Sequence, residues 1–294
     1  MSEQAIVFHT HLGDRRIAGH FERLKREVGE AMPVYLSFHV GGGTAPAVVE
    51  KMKADLVATE GDAERLLPAR CRELRRSAGR GLASGFPDLT WLPSLMNERL
   101  RGCDHVWMVE YDVDFAGSWG EFFAEAGRSE ADLVGTTLFS RTDDPGWMHW
   151  SWFEPPEEVP LGLHTRGFFP IMRLSRRLLE RYAALAKEGS WRGHTEAILP
   201  TLARQEGFSL EDLGGGRAWS RAGRRNWYRN TRSSLFLTPG SFVYRPPVSE
   251  AYFHEAAGAF VEAGLLYHPV KTQVTEMGPV RQAVRAEAEG GVRF

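Results

Sequence analysis

The stretch His105-Val-Trp-Met-Val-Glu110-Tyr-Asp112-Val-Asp114-Phe115 decides how the rest of the chain is read. It begins apolar and ends acidic, and residues 105–113 are expected to form a strand. In extended chain, alternate residues share a face. Val106 and Met108 then align with Glu110, Asp112 and Asp114, while Trp107, Val109, Tyr111, Val113 and Phe115 line the other face. Carboxylates held that close repel one another, and burial protonates them unless a cation is present. Hard divalent cations take carboxylate oxygens and leave coordination positions for substrate phosphate. The C-terminal ends of strands are also where open α/β sheets take their ligands. The spacing alone leaves two readings open, a cation site and a solvated acidic turn.

Outward from this strand, strand-like and helix-like segments alternate. Residues 5–9 (AIVFH) and 34–40 (VYLSFHV) read as strands, the second stopping at Gly41-Gly42-Gly43. Between them Ile17, Phe21, Leu24 and Val28 recur at helical spacing. A helix is expected around 46–57, with Val48, Val49, Met52 and Leu56, and another over 62–77, interrupted by Pro68. Pro93 suits the first turn of a helix through Leu100, closed by Gly102. Ser118 and Glu121 read as a capping box for a helix to Gly127. Strands follow at 132–139 and 168–174, then a helix from Ser175 to near Gly189, a helix after His194, and a strand at 207–210. Strand 241–245, helix 249–263 and the run LLYHPV complete the pattern. Alternation of this kind predicts an α/β fold, a mostly parallel sheet flanked by helices. Residues 1–275 are expected to form one domain, with 276–294 a peripheral tail.

Composition narrows the partners. The 294 residues carry 36 basic and 38 acidic side chains, for a net charge of −2. That balance gives no electrostatic case for nucleic acid or an anionic membrane as the main partner. Only two cysteines occur, Cys71 and Cys103, so neither a disulfide framework nor a zinc spacing is present and a reducing compartment is expected. No basic leader followed by a long apolar run and no transmembrane segment is visible, which predicts a cytoplasmic protein whose membrane contact, if any, is peripheral. Oligomeric state is not legible.

An apolar strand running into Asp-Val-Asp resembles the Asp-x-Asp motif of GT-A fold, nucleotide-sugar-dependent glycosyltransferases. Three further segments fit that pattern in order: the first strand AIVFHTH, the helix opened by residues 193–197 (GHTEA), and His268 within LLYHPVK. The resemblance covers about residues 5–271 and implies a GT-A-like, Rossmann-type sheet. It implies transfer of a sugar, of hexosyltransferase type, from a nucleotide-diphosphate donor to a hydroxyl acceptor (glycan, lipid-linked or small molecule). A divalent cation, Mn2+ or Mg2+, is the implied cofactor. Asp114 is then a direct metal ligand, Asp112 acts through the metal or the ribose, and His268 supplies an imidazole. Glu196 matches the position of the catalytic base, although His194-Thr195-Glu196 departs from the commoner Glu-Asp pair and leaves the stereochemical outcome open. His9, Thr10 and His11 fall near the base and ribose of the donor.

Other segments carry weaker chemistry. Residues 140–165 have no periodicity, and loops of that length are commonly functional. Its Trp147, Trp150, Trp152 and Phe153 offer a sugar platform or lid, or simply pack the loop onto the core; His194 is grouped with Trp147, Trp150 and Trp152 as a substrate-loop residue. Arginines cluster at Arg70, Arg72, Arg75, Arg76 and Arg80, and again at Arg217, Arg221, Arg224, Arg225, Arg229 and Arg232. The second cluster is assigned a diphosphate or acceptor contact through Arg225, with Lys271 reaching a phosphate. Two rival functions remain in view. His9 and His11 form an H-x-H pair that suits a zinc hydrolase, and the nine tryptophans suit a non-catalytic carbohydrate-binding protein that keeps a GT-A-like fold.

Overall fold

The computed structural model describes residues 3–41, 46–77, 86–214, 218–230, 240–244 and 262–270. The expected tail at 276–294, residues 249–261 of the expected helix 249–263, and residues Gly42, Gly43, Arg80, Arg217, Arg232 and Lys271 lie outside them.

A seven-stranded sheet forms the centre, in the order β3-β2-β1-β4-β7-β6-β8. Its strands are β1 (Gln4–Thr10), β2 (Val34–Val40), β3 (Leu56–Thr59), β4 (His105–Glu110), β6 (Leu133–Ser140), β7 (Thr165–Ser175) and β8 (Leu210–Asp212). Two short strands, β5 (Asp114–Phe115) and β9 (Leu266–Tyr267), make a separate ribbon. All neighbours in the main sheet are parallel except those of β7, which runs against both β4 and β6. Parallel neighbours need a crossover, usually a helix. β6 and β7 are joined by the loop 141–164 instead, so β7 returns antiparallel.

Strand β1 shows why the sheet is covered twice. Ala5 and Val7 enter one core while Ile6 and Phe8 enter the other, and all four are fully buried. A strand buried on both faces reads as an unbroken apolar run, which is why AIVF lacks polar alternation. One face is covered by α1 (Arg15–Val28), α2 (Pro46–Met52) and α6 (Trp119–Ala126); the other by α3 (Glu60–Leu66), α4 (Pro68–Ser77), α5 (Asp88–Leu95), α7 (Arg176–Glu188) and α8 (Thr195–Gln205). In α1 the apolar stripe Ile17, Phe21, Leu24 and Val28 faces inward, Asp14 caps the start by accepting from Arg16 N at 2.6 Å, and Gly29 (φ +61°) ends it.

Several elements differ from the sequence-based expectation. Leu56 opens β3 rather than closing a helix; four residues of strand satisfy the edge after α2 stops at Met52. Pro93 lies inside α5, which starts at Asp88, and residues 98–100 are a separate 3-10 turn. Ser118 stands at the N-cap of α6 but makes no cap bond. Glu27 of α1 accepts from Trp119 N at 3.0 Å instead, a carboxylate from another helix doing the capping. The helices meet closely because residue 120 is Gly: a Cβ there would fall 2.4 Å from the Glu27 carbonyl. Strand β8 begins at Leu210 rather than at 207, and residues 241–244 form a single bridge, Phe242 with His268, instead of a strand.

On the second face, one buried carboxylate ties four helices. Asp88 accepts from Arg70 Nε (2.9 Å) and Nη2 (3.1 Å), from the Tyr182 hydroxyl (3.0 Å) and from the Thr195 hydroxyl (2.8 Å). Arg70 also donates to Gly193 O at 2.9 Å, fixing the turn that enters α8. Of the arginines at 70–76, this is the one the core absorbs. Removing one partner of a buried pair leaves the other charge uncompensated. Asp88→Ala is expected to lower the unfolding free energy by about 3–5 kcal/mol, read from denaturant curves; a loss below about 1 kcal/mol would mean the pair carries little.

Candidate metal and catalytic site

The chain runs outward from β1 to β2 and β3, then returns to β4 on the other side of β1. Between β1 and β4 the strand order reverses, and the crevice beyond the C-terminal ends of such strands is where open α/β sheets bind ligands. Glu110, the last residue of β4, pairs in register with His9 of β1.

Beyond Glu110 the strand does not continue. Val113 N donates to Glu110 O at 3.0 Å, closing a turn that carries Asp112. Asp114 then pairs antiparallel with Tyr267, and Val270 N donates to Asp112 O at 2.8 Å. This return places His268 against the turn. Ligand atoms of Glu110, Asp112 and His268 all lie within 4.8 Å of one another, the one such group among the described residues.

The tautomer of His268 follows from its partners. Its Nδ1 lies 2.7 Å from Val243 O, and a carbonyl oxygen only accepts, so Nδ1 carries the proton. In the neutral ring Nε2 then carries the lone pair, and it is the nitrogen 3.6 Å from Asp112 Oδ1. An imidazole fixed through its other N–H by a backbone carbonyl is the usual arrangement of a metal-binding histidine. The donor set of two carboxylates and one imidazole suits Mn2+ or a similar divalent ion.

Asp114 does not join this group. The alternation that put it in line with Asp112 holds only in extended chain, and the turn at 111–113 breaks it. Its carboxylate is fully buried, 2.8 Å from Arg23 Nη1, and accepts from Phe115 N at 2.6 Å. Burial pushes its pKa up to about 7, against the downward pull of Arg23. Arg23 also donates to the carbonyls of Phe115 and Gly117, and His20 Nε2 donates to Val113 O at 2.7 Å. Helix α1 therefore straps the 113–117 segment, with Asp114 as the buckle.

Glu196 stands in the first turn of α8. Its Oε1 accepts from Phe169 N at 3.2 Å, and His194, the helix N-cap, accepts from Glu196 N at 3.2 Å. His194 is thus the cap of α8. Burial raises the Glu196 pKa to about 7, outweighing the Phe169 amide and Arg166, which pull it down. Phe168, the neighbour of that amide, has its ring 5.2 Å from the ring of His268, so β7 carries one contact to each cluster.

The loop aromatics gather around His194. Trp147 and Trp152 lie 5.7 and 6.0 Å from its ring, edge to face. Trp147 and Trp150 are buried, and the Trp150 indole donates to Asp144 O at 2.9 Å, so these two anchor the loop rather than offer open faces. His149 stacks on His194 at 4.2 Å and accepts from Trp152 Nε1 at 3.1 Å. Arg166, buried on β7, pairs with Asp144 at 2.6 Å. Neither His149 nor Arg166 was singled out from sequence. The signal for Arg166 was a lone basic residue leading into the apolar run FFPIM.

The remaining residues scatter. His9 is buried with Nδ1 3.2 Å from Ser37 Oγ, and burial lowers its pKa to about 3. Thr10 closes a turn with Leu12 (3.1 and 3.0 Å). His11 is exposed, its ring 5.2 Å from that of Tyr111. No third ligand joins His9 and His11 among the described residues. Arg225 stacks on Trp227 at 4.8 Å, beside Gly264, and is exposed rather than gathered with the acidic group.

No protein-family model matches the chain. No curated protein matches it either. Among solved structures it is similar to the mannosyltransferase Ktr4p from S. cerevisiae, with 9% identity over 64% of this chain and 61% of that chain, at a TM-score of 0.35. It is also similar to Ktr4p in complex with GDP, with 10% identity over 69% of this chain and 66% of that one, again at 0.35. The chain thus spans less than two thirds of the structures it matches. No helix among the described residues is long and apolar enough to cross a membrane.

Two outcomes follow from the carboxylates. Asp114→Ala is expected to cost about 1–3 kcal/mol of stability, because Arg23 loses one buried partner but keeps Glu27 and the Phe115 and Gly117 carbonyls; if the Glu110–Asp112–His268 group binds Mn2+, Asp114→Asn keeps that affinity within about threefold and Asp112→Asn weakens it by at least about tenfold, as titration calorimetry would show, and loss of binding in Asp114→Asn alone would return Asp114 to the candidate ligands. For Glu196 the folded pKa is raised, from 4.5 to about 7, so the folded state holds the proton more tightly. Stability from this group is complete below its unfolded value and is lost as pH rises through about 7. Glu196→Gln should flatten that part of the pH–stability curve, and an unchanged slope would deny the shift.

Proposed function

We propose that the chain is a metal-dependent glycosyltransferase that moves a sugar from a nucleotide-diphosphate donor to a hydroxyl acceptor. The observation that carries this reading is the group Glu110, Asp112 and His268 at the point where the strand order reverses, with the His268 lone pair facing Asp112. A proton on Nε2 would answer one carboxylate; a divalent cation answers both. Bound there, the cation supplies Lewis-acid neutralisation of the charge that builds on the departing diphosphate. Glu110, Asp112 and His268 hold it, and the backbone of the 110–113 turn keeps them at the mouth of the crevice.

Glu196 is the proton acceptor in this reading. With a pKa near 7 it exists in both forms at neutral pH, which suits a base that takes a hydroxyl proton. His194 borders it, His149 and Trp152 pack on His194, and this group would receive the acceptor. His9 and Thr10, at the end of β1, border the donor side of the crevice. The zinc-hydrolase alternative loses its footing, because His9 turns its Nδ1 to Ser37 and gains no third ligand among the described residues.

A thermal-shift panel of nucleoside diphosphates, with and without Mn2+, tests the class. One nucleotide is expected to raise Tm only with the ion present, since a ligand that binds the folded state stabilises it by mass action. No shift with any nucleotide, or equal shifts after chelation, would remove the reading. Once a donor is known, turnover should rise through about pH 7 and that rise should vanish in Glu196→Gln, with donor affinity kept.

A further inference from the structure

Strand β6 is regular at its ends and broken in the middle. Its pairing with β7 slips between Val134 and Thr136 and again between Thr136 and Phe139. Thr137 there has φ +56°. A β-branched residue in the left-handed region is a true outlier, and such strain persists only where the surroundings over-determine it. They do so here. Thr137 N donates to the Tyr228 hydroxyl at 2.7 Å, and Tyr228 donates to Asp212 Oδ1 at 2.7 Å. Asp212 also accepts from Leu138 N (2.7 Å) and Gly214 N (2.6 Å).

The two bulge threonines reach different walls of one side chain. The Thr136 hydroxyl donates to Phe168 O, and the Phe168 ring packs 5.2 Å from His268 and 5.5 Å from Phe242. The Thr137 hydroxyl accepts from Asn230 Nδ2 at 2.8 Å, and that amide also reaches Phe242 O at 3.4 Å. Next to Asn230, Arg229 O accepts from Ser241 N at 2.8 Å and Arg229 N donates to Ser241 Oγ at 3.1 Å. Residues 241–243 then clasp His268: His268 N donates to Ser241 O (2.9 Å), Val243 N to His268 O (2.9 Å), and His268 Nδ1 to Val243 O (2.7 Å). Thr136 and Thr137 are both fully buried, so any part they play in binding runs through other residues.

We propose that the Thr136–Thr137 bulge, acting through Phe168 and Asn230, is the device that fixes the tautomer and angle of His268 as a cation ligand. The proposal rests on the cation reading of Glu110, Asp112 and His268. Thr137 and Asn230 are positioning residues: Asn230, held by the Thr137 hydroxyl, reaches Phe242 O, one residue before the Val243 carbonyl that accepts from the imidazole, and partners of a ligating histidine typically set metal affinity by about 10- to 100-fold.

The test is Mn2+ titration calorimetry on the full chain, with Tm measured in chelator and the His268 tautomer read by 15N NMR. Asn230→Ala and the near-isosteric Thr137→Val, which removes only the hydroxyl contact, are expected to weaken Mn2+ binding about 10- to 100-fold and to mix the tautomers. Thr137→Ser keeps the hydroxyl and is expected to bind like the parent. Should Asn230→Ala fail to fold, the Thr137 pair decides alone. Parent-like Mn2+ affinity in the variants, while Asp112→Asn loses it, overturns the positioning role and leaves the cation reading intact. A fall in chelated Tm with His268 still wholly protonated at Nδ1 makes the contact structural and also overturns it. A parent protein that binds no Mn2+ removes the cation reading, and this proposal with it.

Discussion

Glu110, Asp112 and His268 bring two carboxylates and an imidazole within 4.8 Å of one another, a crowding of like charge that added positive charge would relieve. Much of the local architecture serves to impose that crowding. Strand β4 delivers Glu110, the turn at 111–113 delivers Asp112, and the β5–β9 ribbon brings back a segment more than 150 residues away in sequence to deliver His268. None of the three would stay together in a relaxed chain. The cost is met by burial around them: Val113, Phe115, Leu266 and Val270 are core residues, and the His20 and Arg23 side chains fasten the turn from below.

What the sequence disclosed, and what it withheld, divides along the range of the interactions. Strand β1, helix α1 and helix α7 were legible because their apolar patterns and end signals are local: Asp14 and Ser175 cap the helix starts, and Gly189 turns left-handed at an end. The acidic cluster was half legible. Asp112 and His268 stood out by type and position, but the carboxylate expected beside them was Asp114, where the fold gathers Glu110. The error lies in a single assumption, that period two continues past Glu110. Whether a strand ends at residue 110 or 113 depends on the partner segment at 265–270, which is invisible to any local pattern. Ser118 illustrates the same limit: the cap motif was present, yet a carboxylate from α1 took the amide.

The long loop shows the opposite balance. Its aromatic residues were recognised as a group with His194 among them, but not that their rings close round it. Their gathering about His194 depends on Gly193, whose φ of +121° and 2.8 Å approach of a would-be Cβ to Phe153 Cα let the loop lie against the entry to α8. His149 was passed over because an isolated histidine in a loop carries no signal; it acquires meaning only by stacking on His194. Pairwise contacts between a loop and a helix start are set by the fold, not by composition.

Asp114 and Glu196 make the final point about reading roles from residue type. Both are acidic, both are withdrawn from water, and burial raises both pKa values to about 7. Their surroundings part them. Asp114 has a guanidinium at 2.8 Å and a backbone amide at 2.6 Å, so its charge is met from within the protein and it cannot change state without loosening Arg23 from the turn. Glu196 has one amide at 3.2 Å, a histidine at 3.6 Å and a more distant arginine, so its ionisation, although it costs stability as pH rises through about 7, breaks no close guanidinium pair. A carboxylate whose charge is fastened by a buried guanidinium is committed to the fold, and on that ground Asp114 reads as structural while the proposed proton-accepting role falls to Glu196.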